Sequence, residues 1–301
     1  MQRGCIDMKV AELFTTNAHQ SPRVRDDEVD LFGLTHPGKV RAENQDHFLA
    51  ATVHPEVTVH ATSLPSVDEL PLRGERLATI ILVADGVGGQ SGGSVASRIA
   101  TETVTRYVSS TLRCYHAAGS SHEELFLESL QDAALEAHNA VRDEASNRPD
   151  EKRMATTLTL GIAVWPWLYV VQLGDSRCYY YWNGKLNQVT RDQTVAQDLV
   201  DQGIMPRERL SASPYRHVLS SAAGAQDALP EVSRVRIDRF GSVLLFCSDG
   251  LTKHVSDEEI AHQIATHSRA EDVCKALLDL VLERGATDNV TIVVARRRAR
   301  V

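Results

Sequence analysis

The 301-residue chain has no pair of cysteines at CxxC spacing, no excess of basic residues and no long apolar run. Each absence removes a class of function. Cys5, Cys114, Cys178, Cys247 and Cys274 are odd in number and far apart, and no histidine stands at zinc-finger spacing, so they read as reduced structural thiols. A formal net charge of −8 argues against a nucleic-acid grip, which needs a basic face. The apolar stretches are too short to span a bilayer, and the first ten residues carry charge and Cys5 but no continuous apolar core of a signal peptide. A cytoplasmic protein without a membrane segment is therefore expected. Neither a GxGxxG fingerprint nor a GKS or GKT triplet is present, which disfavours the common nucleotide-binding folds.

What is present is the balance of an ordinary globule, with 43% hydrophobic and 24% charged residues and no internal repeat. Residues 1–28 are polar and mixed, with a weakly apolar stretch from Val10 to Phe14, and read as an N-terminal extension. Residues 29–296 form the regular part. Residues 297–301, with Arg297, Arg298 and Arg300, read as a solvated basic tail.

Within the regular part, strands are expected over Leu31–Thr35 and His47–Val53, with loops over 54–76. The run Leu77–Val83 is nearly unbroken apolar and enters Ala84-Asp-Gly-Val-Gly-Gly89, so a buried strand meets a glycine-rich turn bearing Asp85. Two amphipathic helices follow, on Val95, Ile99, Val104 and Val108 and on Phe126, Leu130, Ala134 and Val141. Leu158–Val164 and Leu168–Leu173 form a hairpin about Trp165 and Pro166, and Asn183-Gly184 turns a second one. A helix over 192–202 is closed by Gly203. The last third holds a strand ending at Asp249, two helices, the first with Ser256 and Glu259 as a capping box, and a strand from Val290 to Ala295 that follows Asp288. Clustered strands with paired helices suit an α+β fold of packed antiparallel sheets with helices outside.

If the strands beside Asp249 and Asp288 are antiparallel neighbours, both aspartates stand at one end of the sheet, and a third strand can bring Asp85 there. Like charges so placed raise one another's pKa unless a cation compensates them. Oxygen ligands without His or Cys suit Mg²⁺ or Mn²⁺.

Seven ordered motifs carry a resemblance: Arg41-Ala-Glu-Asn-Gln-Asp46, Ala84-Asp-Gly-Val-Gly-Gly89, Met154-Ala-Thr-Thr157, Gly174-Asp-Ser-Arg177, Arg191-Asp-Gln-Thr194, Ser248-Asp-Gly-Leu251 and Asp288-Asn289. From about Asp30 onward the chain resembles bacterial members of the type 2C, or PPM, family of metal-dependent Ser/Thr protein phosphatases. The resemblance implies a four-layer α/β/β/α sandwich and a centre of two Mn²⁺ or Mg²⁺ ions. Asp85 would bridge the ions, the Gly86 carbonyl would join one, and Asp249 with Asp288 would hold the other. Asp46 and Gln45 would make water-mediated contacts, and Arg41 would clamp the substrate phosphate. The implied activity is hydrolysis of phosphoserine and phosphothreonine in proteins by a metal-activated water, without a covalent intermediate, in a monomeric signalling enzyme opposed by a cognate Ser/Thr kinase. The alternatives are a catalytically weak phosphoprotein-binding regulator and a small phosphate-ester hydrolase of the same fold.

Three departures from the family pattern stand out. Gln45 replaces a common glutamate, and Val87 occupies the position of a histidine found in many eukaryotic members. At the extra site where bacterial relatives share a third ion, Asp175 is retained, but Lys253 stands four residues after Asp249 in place of an aspartate. The expectation is that Lys253 either pairs with Asp175 or points into solvent, that the third site is absent or weak, and that the two-ion centre is unaffected. The flap expected over 192–223 carries Arg216 and His217, read as surface residues within reach of a phosphoprotein.

Overall fold

The computed structural model describes residues 24–298, except 57, 65, 67–69, 71, 89–90, 119–122 and 149–153; of residues 113–118 the backbone alone is described. The weakly apolar stretch from Val10 to Phe14 lies outside the described residues. Strands β1 (Val29–His36), β2 (Asp46–Val53) and β3 (Ala78–Val87) precede helices α1 (Gly92–Ala118) and α2 (Glu123–Asn147). Then come β4 (Ala155–Thr156), β5 (Leu158–Val164), β6 (Trp167–Leu173), β7 (Arg177–Trp182), β8 (Lys185–Gln188) and α3 (Val195–Asp201). The chain closes with β9 (Glu231–Arg236), β10 (Val243–Cys247), α4 (Asp249–Thr252), α5 (Asp257–Thr266), α6 (Ala270–Glu283) and β11 (Val290–Arg297).

The strands make two antiparallel sheets, one ordered β1-β11-β10-β7-β8 and the other β2-β3-β5-β6-β9, with β4 on the end of β3. Strand β3 explains why its sequence is unbroken apolar instead of alternating. Ile80 and Leu82 face the α1/α2 layer while Ile81 and Val83 face the other sheet, so both faces are buried. Helix α1 buries Ala96, Ala100, Val104, Val108 and Leu112, one residue per turn, and α2 answers with Phe126, Leu130, Ala134 and Val141. On the opposite face α5 and α6 cover the first sheet with Ile260, Ile264, Val273, Leu277 and Val281. The expected four-layer sandwich is therefore observed.

The Asn183-Gly184 turn has both residues at positive φ, 50° and 77°, as its two-residue hairpin requires. The Ser256 and Glu259 capping box is formed. Three details differ from expectation. Strand β9 carries no clean alternation and was not foreseen. Helix α3 begins only after Thr194, whose hydroxyl caps it. Arg297 is not part of a solvated tail: it ends β11, is buried, and lays its guanidinium 3.5 Å from the centre of the Trp165 ring and 4.0 Å from that of Phe240. Arg298 pairs with Asp30, and residues 299–301 lie outside the described residues.

Candidate metal centre

The candidate site is made where the ends of both sheets meet. In one sheet, Asp46 and Asp85 stand directly opposite each other on β2 and β3. In the other, β10 and β11 run antiparallel with Cys247 opposite Ile292, so Asp249, just after β10, and Asp288, just before β11, share one end. Sequence reasoning placed Asp85 at the end of a strand in that same group. The structure puts it inside β3, in the other sheet, and the carboxylates converge because the two sheets stack.

Neutral side chains join the two halves. Asp46 Oδ2 accepts hydrogen bonds from Ser248 Oγ at 2.8 Å and Thr291 Oγ1 at 2.7 Å, both from the opposite sheet. Asn289 Oδ1 accepts the Gln45 N–H at 2.9 Å, while its Nδ2 donates to the carbonyls of Pro37 and Glu43. Those bonds fix the loop carrying Arg41 and Gln45. The Asp85 N–H donates to Thr157 Oγ1, which lies 2.7 Å from Ser176 Oγ. A Cβ at Gly86 would stand 2.3 Å from the Gly93 carbonyl oxygen and 2.6 Å from that of Gln45, so only glycine lets the backbone pass. Ser248, Thr291 and Thr157 escaped the motif reading as functional residues, although the motifs contain two of them; only the tertiary fold shows that their hydroxyls face the aspartates.

The electrostatics are those of an overcrowded anionic site. Burial pushes the Asp85 carboxyl well above the usual range, and the charges of Asp46, Asp249, Asp175 and Asp288 push it further. Burial also lifts Asp46, to about 6, against the downward pull of its Thr291 and Ser248 hydrogen bonds. Asp175 is raised by burial and then by Asp249 and Asp192. Asp288 goes the other way. Burial would raise it, but hydrogen bonds from Arg41 and Lys253 prevail and hold it below the ordinary value.

Arg41 donates Nε and Nη2 to the two oxygens of Asp288 at 2.7 and 3.0 Å, leaving Nη1 without a hydrogen bond among the described residues. Lys253 does not make the expected pair with Asp175. Its Nζ lies 2.6 Å from Asp249 Oδ2 and 2.7 Å from Asp288 Oδ2, because one turn of α4 carries it back over Asp249. It thus contacts two residues of the expected two-ion centre, from which it was thought remote. An imidazole nitrogen of His217 and carboxylate oxygens of Asp175 and Asp249 all lie within 4.8 Å of one another. His217 is exposed, as read from the sequence, and from the expected flap it also stands beside Asp175 and Asp249 at the rim of the site. The root of that segment is tied to the Asp175 turn, since Gln193 and Gly174 exchange hydrogen bonds at 2.9 and 3.0 Å.

The donor set fits hard divalent cations. Asp46 Oδ1 and Asp249 Oδ1 are buried with no hydrogen-bond partner, a costly state for carboxylate oxygens unless a cation faces them. Arg41, Asp85, Asp175, His217, Asp249 and Lys253 line one open cavity around them. Among the described residues no helix is long and apolar enough to cross a membrane.

Comparison with known proteins agrees with this geometry. The family model described as protein phosphatase 2C matches residues 58–286. The serine/threonine protein phosphatase PstP of Mycobacterium tuberculosis is 33% identical over 218 residues, which are 72% of this chain but only 40% of that protein. The serine/threonine phosphatase stp of Listeria monocytogenes is 27% identical over 224 residues, 72% of this chain and 84% of that one. The crystal structure of the M. tuberculosis phosphatase PstP/Ppp superposes with a TM-score of 0.72 at 28% identity, covering 90% of this chain and 99% of the other. A catalytic domain of PstP in complex with two manganese ions gives 0.69 at 27% identity, over 90% and 99%. With most of its length matched by the family model, and with carboxylates of both sheets gathered at one end of the sandwich, the chain belongs to the protein phosphatase 2C family.

Proposed function

We propose that the chain is a divalent-metal-dependent phosphatase acting on phosphoserine and phosphothreonine in proteins. The observation that carries this reading is the convergence of Asp46, Asp85, Asp249 and Asp288 from two sheets, with buried unpartnered oxygens on Asp46 and Asp249, next to the Arg41 guanidinium. Two Mn²⁺ or Mg²⁺ ions are the cofactors, as supported by the two manganese ions of the PstP structure. Asp85 and the Gly86 carbonyl, with Asp249 and Asp288, would hold them, and Asp46 and Gln45 would orient water beside them. When bound, such ions lower the pKa of water and offset the charge of a phosphate monoester.

The chain's own residues have separate tasks. Ser248 and Thr291 hold Asp46 in one orientation across the sheets. Asn289 fixes the Gln45 loop so that Arg41 stands at the cavity mouth, where Nη1 is available to non-bridging phosphate oxygens. The segment 192–223 acts as the flap beside the substrate. Buried Cys247 takes no part, since burial pushes its thiol up to about 12 and away from the nucleophilic thiolate. The third site, about Asp175 with Asp249 and His217, is too weak to fill alongside the other two. The enzyme works in the cytoplasm as a monomer, on substrates phosphorylated by a cognate Ser/Thr kinase.

The test is phosphate release from a phosphothreonine peptide with Mn²⁺, with Mg²⁺ and with excess chelator, beside a nucleoside monophosphate at equal concentration. Metal-dependent turnover of the peptide is expected. Turnover undiminished by chelator, or preference for the nucleotide, would overturn the reading.

A further inference from the structure

The place of Lys253 in the site is unusual for a cation that neither binds substrate nor sits on the surface. Its side chain is 21% exposed, and its Nζ is shared between Asp249 Oδ2 at 2.6 Å and Asp288 Oδ2 at 2.7 Å. The pairing is built into the local chain. Lys253 is the C-cap residue of α4, whose first residue is Asp249, so positions 249 and 253 fall on the same side of that single turn. Asp288 is already crowded: Oδ1 accepts Arg41 Nε and the Asn289 N–H, and Oδ2 accepts Arg41 Nη2 as well as Lys253.

The same two carboxylates are those assigned above to one ion of the pair. A divalent cation of the Mg²⁺ or Mn²⁺ class takes oxygen ligands at about 2.0–2.2 Å, inside the space the ammonium occupies when it touches both Oδ2 atoms. Ion and ammonium therefore exclude each other by volume and by charge. We propose that Lys253 is an internal counter-cation: it holds Asp249 and Asp288 together in the metal-free enzyme and is displaced when the ion enters. This inference rests on the two-ion reading and adds to it that the chain sets the metal affinity of one half of the centre through its own lysine. The free carboxylates are thereby kept assembled, and the ion at that half binds more weakly than the ligand set alone would permit. Because each ammonium–carboxylate hydrogen bond lost is a charge-assisted one, the weakening is on the order of tenfold or more in Kd.

The experiment uses the full chain, stripped with chelator and titrated calorimetrically with MnCl₂, for the parent, Lys253→Met and Lys253→Gln. Methionine keeps an unbranched stem without charge, and glutamine serves if methionine does not fold. The parent should bind Mn²⁺ in two steps of unequal affinity, and the variants should tighten the weaker step by about tenfold or more. Thermal melts should show the opposite sign without metal: the variants melt below the parent in chelator, yet gain more than the parent from added Mn²⁺. A lysine that merely packs would lower the melt without tightening metal binding, and either an unchanged weaker step or a loosened one overturns the proposal. The parent alone supplies a further measurement. Acetylation of Lys253 by acetic anhydride, followed by peptide mass spectrometry, should accelerate when Mn²⁺ is added, and unchanged or slower labelling counts against displacement. If the parent binds no Mn²⁺ at all, it is the two-ion reading that fails; if it binds two ions and the variants match it, only the role of Lys253 fails.

Discussion

Replacing Ser248 by alanine tests the bridge between the two sheets at the candidate site. The hydroxyl is fully buried and has two bonds, donating to Asp46 Oδ2 at 2.8 Å and accepting the Thr291 N–H at 2.9 Å. Alanine leaves the Thr291 N–H buried with no acceptor, a loss of roughly 1–3 kcal/mol, and removes one of two hydroxyl donors from Asp46, about 1 kcal/mol more. The sum is about 2–4 kcal/mol, with no compensating gain because the vacated volume is smaller than a water. Urea unfolding of the metal-free protein, followed by tryptophan fluorescence at pH 7.5, measures it. Thr252→Ala is the control, since that hydroxyl makes only a long 3.3 Å bond to the Asp249 carbonyl, and it should change stability by less than about 0.5 kcal/mol. A loss below about 1 kcal/mol for Ser248→Ala would refute the assignment of Ser248 as the link that holds Asp46.

Three further outcomes are expected. Gly161→Ala places a Cβ 2.2 Å from Phe246 Cζ in the packed space between the sheets, so it should cost about 1–3 kcal/mol and lower the melting temperature by several degrees; an unchanged melt would mean the sheets are not packed there as described. His138 accepts the Gly224 N–H through Nδ1 and has its pKa lowered, first by burial and then by Arg142. Below the ordinary histidine pKa the unfolded chain therefore binds more protons than the native one, and stability falls with falling pH. Proton uptake by Asp46, Asp85 and Asp175, whose carboxyls are raised, acts in the opposite sense, so the His138 contribution is read as a difference: between pH 7.5 and 5.5 the parent should lose stability relative to His138→Gln, and parallel curves would count against it. Asp85→Asn should reduce metal-saturated turnover far more than Gln45→Ala, since under the proposed two-ion centre the first would remove an ion ligand and the second a water contact; equal losses would count against that division of roles.

Much of this molecule was legible in its sequence, and the illegible parts share a physical cause. Strand β3, the four long helices and the Asn183-Gly184 hairpin announce themselves through periodicity, continuous burial and turn chemistry, all of which are local. Strand β9 did not, because its residues Glu231–Arg236 take their conformation from pairing with β6, whose Val170 and Val171 stand opposite Ser233 and Val232. The aspartates of the site were visible as motif residues, and their meeting at one end followed from antiparallel pairing. Which cation they meet did not follow. Lys253 was placed beside Asp175 by analogy of position, whereas one turn of α4 directs it to Asp249 and Asp288. Arg297 was read as tail because charge at a terminus is usually solvated; the fold instead offers it Trp165 and Phe240, and its apolar stem and flat guanidinium suit that slot.

The way the site is held together bears on how it can exchange its cations. The groups that fix its geometry are neutral: hydroxyls of Ser248, Thr291 and Thr157 and the amide of Asn289, all buried and all bonded between elements. Their bonds do not depend on what balances the carboxylates. The groups that balance charge are Arg41, on a loop and 57% exposed, and Lys253, at the end of a single helical turn. Both are long side chains whose heads can leave without disturbing the backbone that carries the aspartates. Had the carboxylates been positioned by buried arginines, removing those cations would have left uncompensated charge and a collapsed frame, at several kcal/mol each. Under the proposed function, separating neutral scaffold from movable cation would let the same arrangement persist while Arg41 turned toward phosphate and Lys253 yielded to an ion, so that binding would change the charges in the centre and not its shape.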